Sequence, residues 1–375
     1  MDILAAGVSP EQPDFVHTPD APCEAVAVCG NGLVCAYSRG ADVFDFIGPY
    51  YSSPSWCEMR LLTGCAVEGR QVRSTGIWEY RFLQGRRPAG GFTQFAPPGL
   101  PVFIRRFDCR ETLAWGVFGK AAGSLRAAPE TLIQGSGFDR AFLTEIPAGM
   151  FFYTCGTDDG KPAGYPVTDR LALIIAVRGE IACAAAGNNL SLDIARGDVY
   201  FIAGRSAADA WETLRRIGST PAQALYDDCL SGWNDFTARR QHMAAPSGEK
   251  TRLADEIAEA ADAAAALIKA QQDAGGGVIA GYNYHLAYVR DCYGVHRGLL
   301  ALGCLEEDRR LLLYFAGVFG RYGEVRNAQG MGAYGFHRHE NDAVEITAYL
   351  VLMAMEYFAT SGDGETVNQT LPLLL

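Results

Sequence analysis

The stretch Leu253-Ala254-Asp255-Glu256-Ile257-Ala258-Glu259-Ala260-Ala261-Asp262-Ala263-Ala264-Ala265-Ala266-Leu267-Ile268-Lys269, closed by Gly275-Gly276-Gly277, marks where the chain changes character. Leu253, Ile257, Ala260, Ala261, Ala264, Leu267 and Ile268 recur at three- and four-residue steps, the spacing of one helix face. The pattern predicts an Ala-rich helix ended by glycines, which reach the backbone conformations a helix terminus needs. On its N-terminal side the pattern is β. On its C-terminal side it is helical.

Upstream, Ala25-Val26-Ala27-Val28-Cys29 and Leu33-Val34-Cys35-Ala36-Tyr37 flank Gly30-Asn31-Gly32. Asn-Gly between apolar runs predicts a hairpin with a type I′ turn, which needs positive φ at both central residues. Short strands are expected at Gly76–Phe82, Val102–Phe107 and Leu171–Val177. A further hairpin or corner is expected from Leu190–Ile194 and Asp198–Ile202, split by Arg196-Gly197-Asp198. Pro97-Pro98-Gly99 supplies another break. Many short strands with regular turns predict an antiparallel sandwich or barrel. All five Trp, from Trp56 to Trp233, lie in this part and read as core or interface. Trp233, just before the linker, is expected to pack the two parts together.

Downstream, helices are expected at Asp291–Leu302, Glu306–Tyr322 and Asn341–Thr360, with another after Gly362-Asp363-Gly364. Glu306, Glu307 and Asp308 suit the positive end of a helix, and Asn341 suits an N-cap. Leu350, Val351, Leu352, Met353, Met355, Tyr357 and Phe358 are too many apolar residues for one buried face. The end, Leu371-Pro372-Leu373-Leu374-Leu375, is apolar and reads as an element cut in mid-pattern. The expected organisation is a β-sandwich over 1–240, a linker and helix over 241–276, and a helical domain from 277 to 375.

At 375 residues, 49% of them hydrophobic, the chain is long enough for two or three globular domains. The net charge of -11 argues against non-specific binding to nucleic acid or anionic membranes. The N-terminal Met1-Asp2-Ile3-Leu4-Ala5-Ala6-Gly7 lacks the basic and long apolar regions of a signal peptide. The apolar run Ala348–Ala359 is broken by Glu356 and is short of a membrane span. The 11 cysteines include no C-x-x-C pair, which reads as reduced thiols in a cytoplasmic protein without a zinc knuckle. Gly30-Asn31-Gly32 precedes no helix, so it is not a dinucleotide loop. Neither G-x-x-x-x-G-K-[ST] nor G-x-S-x-G occurs.

The segment with chemistry in it is Gly277 to Asp291, a loop carrying Tyr282, Tyr284, His285 and Tyr288 and closing on Arg290-Asp291. Aromatic faces stack on pyranose rings. A carboxylate accepts two O–H bonds and a guanidinium donates two, which suits ring hydroxyls. The alternative is that Asp291 caps its helix and Arg290 pairs with it. A second constellation is His337-Arg338-His339-Glu340-Asn341-Asp342, leading into Glu345. It reads as a sugar-contacting loop, as solvated charges around a helix N-cap, or as a metal site using His337, His339 and Asp342. His285 and His296 read as structural, and Cys292 as buried packing.

The segment resembles the start of the catalytic domain of glycoside hydrolase family 15, the glucoamylase family. Gly276-Gly277-Val278-Ile279-Ala280 resembles its G-G-x-I-x-A turn, and Tyr288-Val289-Arg290-Asp291 resembles the end of its Tyr-x-Trp-x-Arg-Asp run, with Tyr288 where the family usually has Trp. Gly298–Gly303 followed by Glu306-Glu307 resembles the family's first helix pair. The resemblance implies a supersandwich followed by an (α/α)6 barrel, here incomplete and represented by its first helices. It implies inverting hydrolysis of α-glucosidic bonds at non-reducing ends by two Glu, with no cofactor. Both Glu are expected beyond Leu375, so no catalytic acid or base is carried over. Tyr284, Tyr288, Arg290, Asp291, His339, Glu340 and Asp342 are the implied contacts to an oligo- or polysaccharide. An inverting disaccharide phosphorylase of the same architecture and a non-catalytic carbohydrate-binding protein remain as alternatives.

Overall fold

The computed structural model describes residues 26–84, 87–120, 123–146, 151–156, 162–166, 170–240, 252–282, 284–332 and 345–375. The strands are β1 (Val26–Gly30), β2 (Cys35–Arg39), β3 (Asp42–Ile47), β4 (Cys57–Leu61), β5 (Ala66–Gln71), β6 (Trp78–Gln84) and β7 (Arg87–Phe95). They continue with β8 (Val102–Gly119), β9 (Arg126–Ala127), β10 (Arg140–Ile146), β11 (Phe151–Gly156), β12 (Pro162–Pro166), β13 (Leu171–Ala186) and β14 (Asn189–Gly204). Two helices follow, α1 (Ala207–Gly218) and α2 (Ala222–Arg239), then α3 (Arg252–Gln271). The short ladder β15 (Ala287–Tyr288) with β16 (Ala328–Gln329) brackets α4 (Val289–Ala301) and α5 (Leu305–Tyr322). The last elements are α6 (Glu345–Ser361) and α7 (Gly364–Leu374).

Every pairing in the large sheet is antiparallel, and its backbone path runs β1-β2-β3-β4-β8-β14-β13-β10-β9. The long strand β8 branches it. Its first half pairs with β7, which leads to β6 and β5, and its second half pairs with β4. Side chains of a strand alternate between faces, and here both faces are buried. Leu173, Ile175, Val199, Phe201 and Trp115 point into the sandwich core. Ala172, Ile174, Tyr200 and Ile202 point to the other side, in the core shared with the helices, where α1 packs on β13 and β14. That is why Leu171–Val177 reads as an unbroken apolar run instead of an alternating one.

Three expectations are corrected. The two runs around Arg196-Gly197-Asp198 are one strand, β14, whose register shifts between Ile194 and Arg196 without breaking. Gly197, at φ +148, lies so close to Arg178 that a Cβ there would meet its carbonyl oxygen at 2.3 Å. The region before 240 is not all β, because α1 and α2 occupy 207–239. Ser206 caps α1, its side chain accepting from Asp209 N at 3.1 Å. The β1–β2 hairpin is present, but Gly30 pairs with Cys35, leaving a four-residue loop. Asn31 closes it with its own side chain, Oδ1 accepting from Leu33 N and Val34 N.

The burial of α3 also differs from the expected stripe. Ala265, Ala266 and Ala270 are buried, whereas Ile257 and Leu267 are exposed. The small face lets the helix backbone approach the hairpin. A Cβ on Gly30 would lie 2.1 Å from Ala270 O, and Tyr51 Oη donates to that carbonyl at 2.7 Å. Trp233 on α2 lies against Gly76, where a Cβ would meet its ring at 2.5 Å.

The C-terminal helices form two hairpins, α4–α5 and α6–α7. In both, helix packs on its sequence neighbour and on its counterpart in the other hairpin, α4 against α6 and α5 against α7. Contacts Arg290–Glu345, Tyr293–Tyr349 and His296–Glu356 advance together along both chains, so α4 and α6 run parallel. Gly323, at φ +73, ends α5 in the left-handed conformation. No described helix is long and apolar enough to cross a membrane.

Candidate functional site

The parallel course of α4 and α6 brings their N-termini side by side. The α4 terminus is fixed by the segment that returns after α5. Val289 N donates to Asn327 O at 2.7 Å and Arg290 N to Asn327 Oδ1 at 3.5 Å. Asn327 is buried. The N-cap position itself is Tyr288, in extended conformation and without a side-chain cap bond. Asp291 therefore sits in the first turn and does not cap the helix.

Arg290 and Asp291 are both exposed. Arg290 Nη2 pairs with Glu345 Oε1 on α6 at 3.0 Å, so its partner is the neighbouring helix and not Asp291. Glu345 was legible only as the end of the second polar cluster. Asn327 carried no signal in the sequence, because its role depends on a chain return of 37 residues. Tyr284 is 47% exposed, while Tyr288, at 6%, is covered; their rings meet edge-on with centroids 6.2 Å apart. His339, Glu340 and Asp342, with His337, lie outside the described residues.

The rest of the aromatic loop turns inward. Tyr282 packs edge-on against Phe44 and Tyr37 of the sandwich, with centroids at 5.0 and 5.9 Å. His285 is buried, with Nε2 2.8 Å from Asp45 Oδ2 and Nδ1 3.1 Å from Ser53 O. Burial pushes the Asp45 carboxyl up, but His285, with smaller help from Ser55 and Lys120, brings it net below its ordinary value. Ser52 Oγ donates to His285 O at 2.6 Å and accepts from Met331 N at 2.8 Å. One sandwich loop thus clamps both segments that hold the α4 terminus.

A second buried group ties the helices together below this end. His296 Nδ1 lies 2.8 Å from Asp308 Oδ1, and both residues are fully buried. Its Nε2 is 3.3 Å from Glu356 Oε2, within ion-pair distance but not aligned as a hydrogen bond. Burial pushes the Asp308 carboxyl up, against the opposing pull of His296. Cys292 is buried, its thiol donating to Val278 O at 3.6 Å and pushed up to about 12 by burial. Such a thiol is a poor nucleophile. Among the described residues no group of three or more His, Cys, Asp or Glu could hold a metal ion.

The exposed end therefore presents one guanidinium, two carboxylates and a phenol ring. Together these offer donors, acceptors and an aromatic face to a polyhydroxylated ligand. Two cavities lie elsewhere, one between α2, α3 and the β1–β2 hairpin, the other on the outer surface of β6, β7, β8 and β14.

No family model and no curated protein matches the chain. Solved structures do match it. A bacterial glucoamylase complexed with acarbose aligns with a TM-score of 0.61 at 10% sequence identity, over 90% of this chain and 55% of that one. A putative kojibiose phosphorylase from the human microbiome aligns with a TM-score of 0.40 at 8% identity, over 91% and 52%. The first likeness shows the fold: a large antiparallel sheet followed by helices. The chain spans about half the length of these structures.

Proposed function

We propose that the chain belongs to a glucoamylase-like glycosidase and carries part of its sugar-binding surface. The observation that carries this reading is the fold likeness over 90% of the chain. It is supported by exposed Arg290 and Asp291 and half-buried Glu345 standing at adjoining helix N-termini. The alternating packing of α4, α5, α6 and α7 supports an arc of an (α/α)6 ring, with α4 and α6 in one layer and α5 and α7 in the other.

The whole protein would release glucose from non-reducing ends of α-glucans with inversion. That reaction needs a carboxylic acid on the leaving oxygen and a carboxylate activating water on the opposite face, about 6.5–9.5 Å apart. No residue of this chain is assigned either role. Asp291 would accept hydroxyl hydrogens of a terminal hexose, Arg290 would donate to its oxygens while held by Glu345, and Tyr284 would offer its ring.

Calorimetric titration of the chain with maltotriose and acarbose tests the reading. Saturable binding that weakens at least tenfold in Asp291→Ala is expected. Binding equal in both proteins, or none in either, would overturn it. If a longer form releases sugar only when inorganic phosphate is present, with sugar 1-phosphate as product, the enzyme is a phosphorylase instead.

A further inference from the structure

Three consecutive residues of the loop between β3 and β4 bond to the helical part. Tyr51 Oη donates to Ala270 O at 2.7 Å, near the end of α3. Ser53 O lies 3.1 Å from His285 Nδ1. Between them, fully buried Ser52 uses one hydroxyl twice. Its Oγ donates to His285 O at 2.6 Å and accepts from Met331 N at 2.8 Å. The residue after Met331, Gly332, lies so close to the same loop that a Cβ there would meet the Tyr50 ring at 2.3 Å.

The two partners of Ser52 stand opposite each other. In the antiparallel ladder of β15 with β16, Ala287 faces Gln329 and Tyr288 faces Ala328. One residue further on, in the same register, Val289 N donates to Asn327 O at 2.7 Å. Two residues back from Ala287, that register sets His285 opposite Met331. Hydrogen-bonded pairs in an antiparallel ladder recur at every second residue. Val289 with Asn327, Ala287 with Gln329 and His285 with Met331 therefore fall on one set. At the last of these the Ser52 hydroxyl stands between the amide and the carbonyl that would otherwise bond directly. A hydroxyl can do this because it is a donor and an acceptor at once. An apolar side chain in its place would leave a buried N–H and a buried C=O to find each other or stay unpaired.

We propose that Ser52 is a positioning residue for the sugar-binding surface, a proposal that rests on the reading of Arg290 and Asp291 as sugar contacts. Ser52 itself touches no ligand. It sets the spacing of the two segments at the far end of the ladder, and the near end of the ladder is the start of α4. There Asn327 holds both Val289 N and Arg290 N. A change of spacing at His285 reaches Arg290 and Asp291 within six residues of backbone, with the rungs to carry it. The sandwich is thereby a working part of the surface, because one of its loops aims side chains that belong to the helical part.

The test is calorimetric titration of the full chain with maltotriose and acarbose, together with amide hydrogen exchange. Ser52→Ala should weaken sugar binding at least fivefold and speed exchange at the Val289 amide, which Ser52 does not touch. Should Ser52→Ala fail to fold, Ser52→Cys, with its weaker donor and acceptor, is expected to shift both readouts in the same direction. Two controls separate positioning from loss of stability. Ile194→Ala, in the sandwich core on β14, should lower the melting temperature and leave sugar affinity within twofold. Ser52→Ala combined with Asp291→Ala should weaken binding by less than the product of the two single losses, because independent effects multiply and coupled ones do not. Sugar binding in Ser52→Ala as tight as in the wild type overturns the role of Ser52 and leaves the sugar reading standing. So does a full product in the double variant, or an equal loss in Ile194→Ala. A wild type that binds neither sugar overturns the sugar reading and this proposal with it.

Discussion

The sandwich and the helical hairpins bury apolar surface in different ways. In the sandwich both faces of the central strands are covered: Leu173 and Ile175 on one side, Ala172 and Ile174 on the other, all nearly inaccessible. Among the described residues, α6 is covered on one face. Leu350, Met353 and Tyr357 are buried, while Leu352, Met355 and Phe358 are 40%, 63% and 50% exposed. The exposed three follow helical spacing and form a strip, unlike scattered surface leucines. The sheet closes its own core. The helical arc presents a face whose residues suit contact with another apolar surface.

The largest test of this contrast is Trp115→Ala. Trp115 is fully buried and meets Phe107, Phe92 and Phe82 with ring centroids at 5.3, 5.7 and 6.1 Å. Emptying that position should cost about 3–5 kcal/mol, read as a fall in the urea midpoint. A loss below about 1 kcal/mol would mean that the sandwich core is loosely packed and the contrast is wrong.

The joint between the regions comes next. His285→Leu strands the buried Asp45 carboxylate and should cost about 3–5 kcal/mol or somewhat less. Its pH dependence carries a sign. In the wild type the folded Asp45 pKa is net lowered. Its contribution is present above the unfolded value near 3.9 and is lost as pH falls through the folded one. In His285→Leu burial is opposed only by the smaller pulls of Ser55 and Lys120, so the folded pKa rises relative to wild type and the variant should regain stability relative to wild type as pH falls from 7 toward 4. Parallel stability curves for the two proteins would show that the pair is not what joins the regions.

The smallest effect is expected on the exposed strip. Met355→Ser should change stability by no more than about 0.5 kcal/mol while reducing binding of an apolar dye or concentration-dependent association. A destabilisation comparable to that of Trp115→Ala would mean that the strip is packed in solution.

Much of the architecture was legible, and the misses share one physical cause. Periodicity located the helices after residue 288 to within a few residues, because one face of each contacts a neighbour. It missed α1 and α2, whose buried residues Trp211, Leu214, Leu225 and Trp233 were read as part of the β region. It placed the α3 stripe on Ile257 and Leu267, when the contact required the smallest side chains. For the candidate site, residue type and resemblance nominate Tyr284, Tyr288, Arg290 and Asp291, and the structure places them near one helix end with Tyr288 covered. Glu345 as the partner of Arg290, and Asn327 as the cap, were not found.

The sequence by itself determined where extended chain gives way to helix, since hydrophobic period follows backbone geometry residue by residue. It also determined that the helical part has more apolar surface than one buried face can use. Tertiary structure alone decided that Arg290 faces Glu345, that His285 turns inward to Asp45, and that Arg239, Lys269 and Arg310 line one cavity with Trp233. Those are meetings between residues tens to hundreds of positions apart, and a local pattern holds no information about which distant groups the packing of faces will bring together.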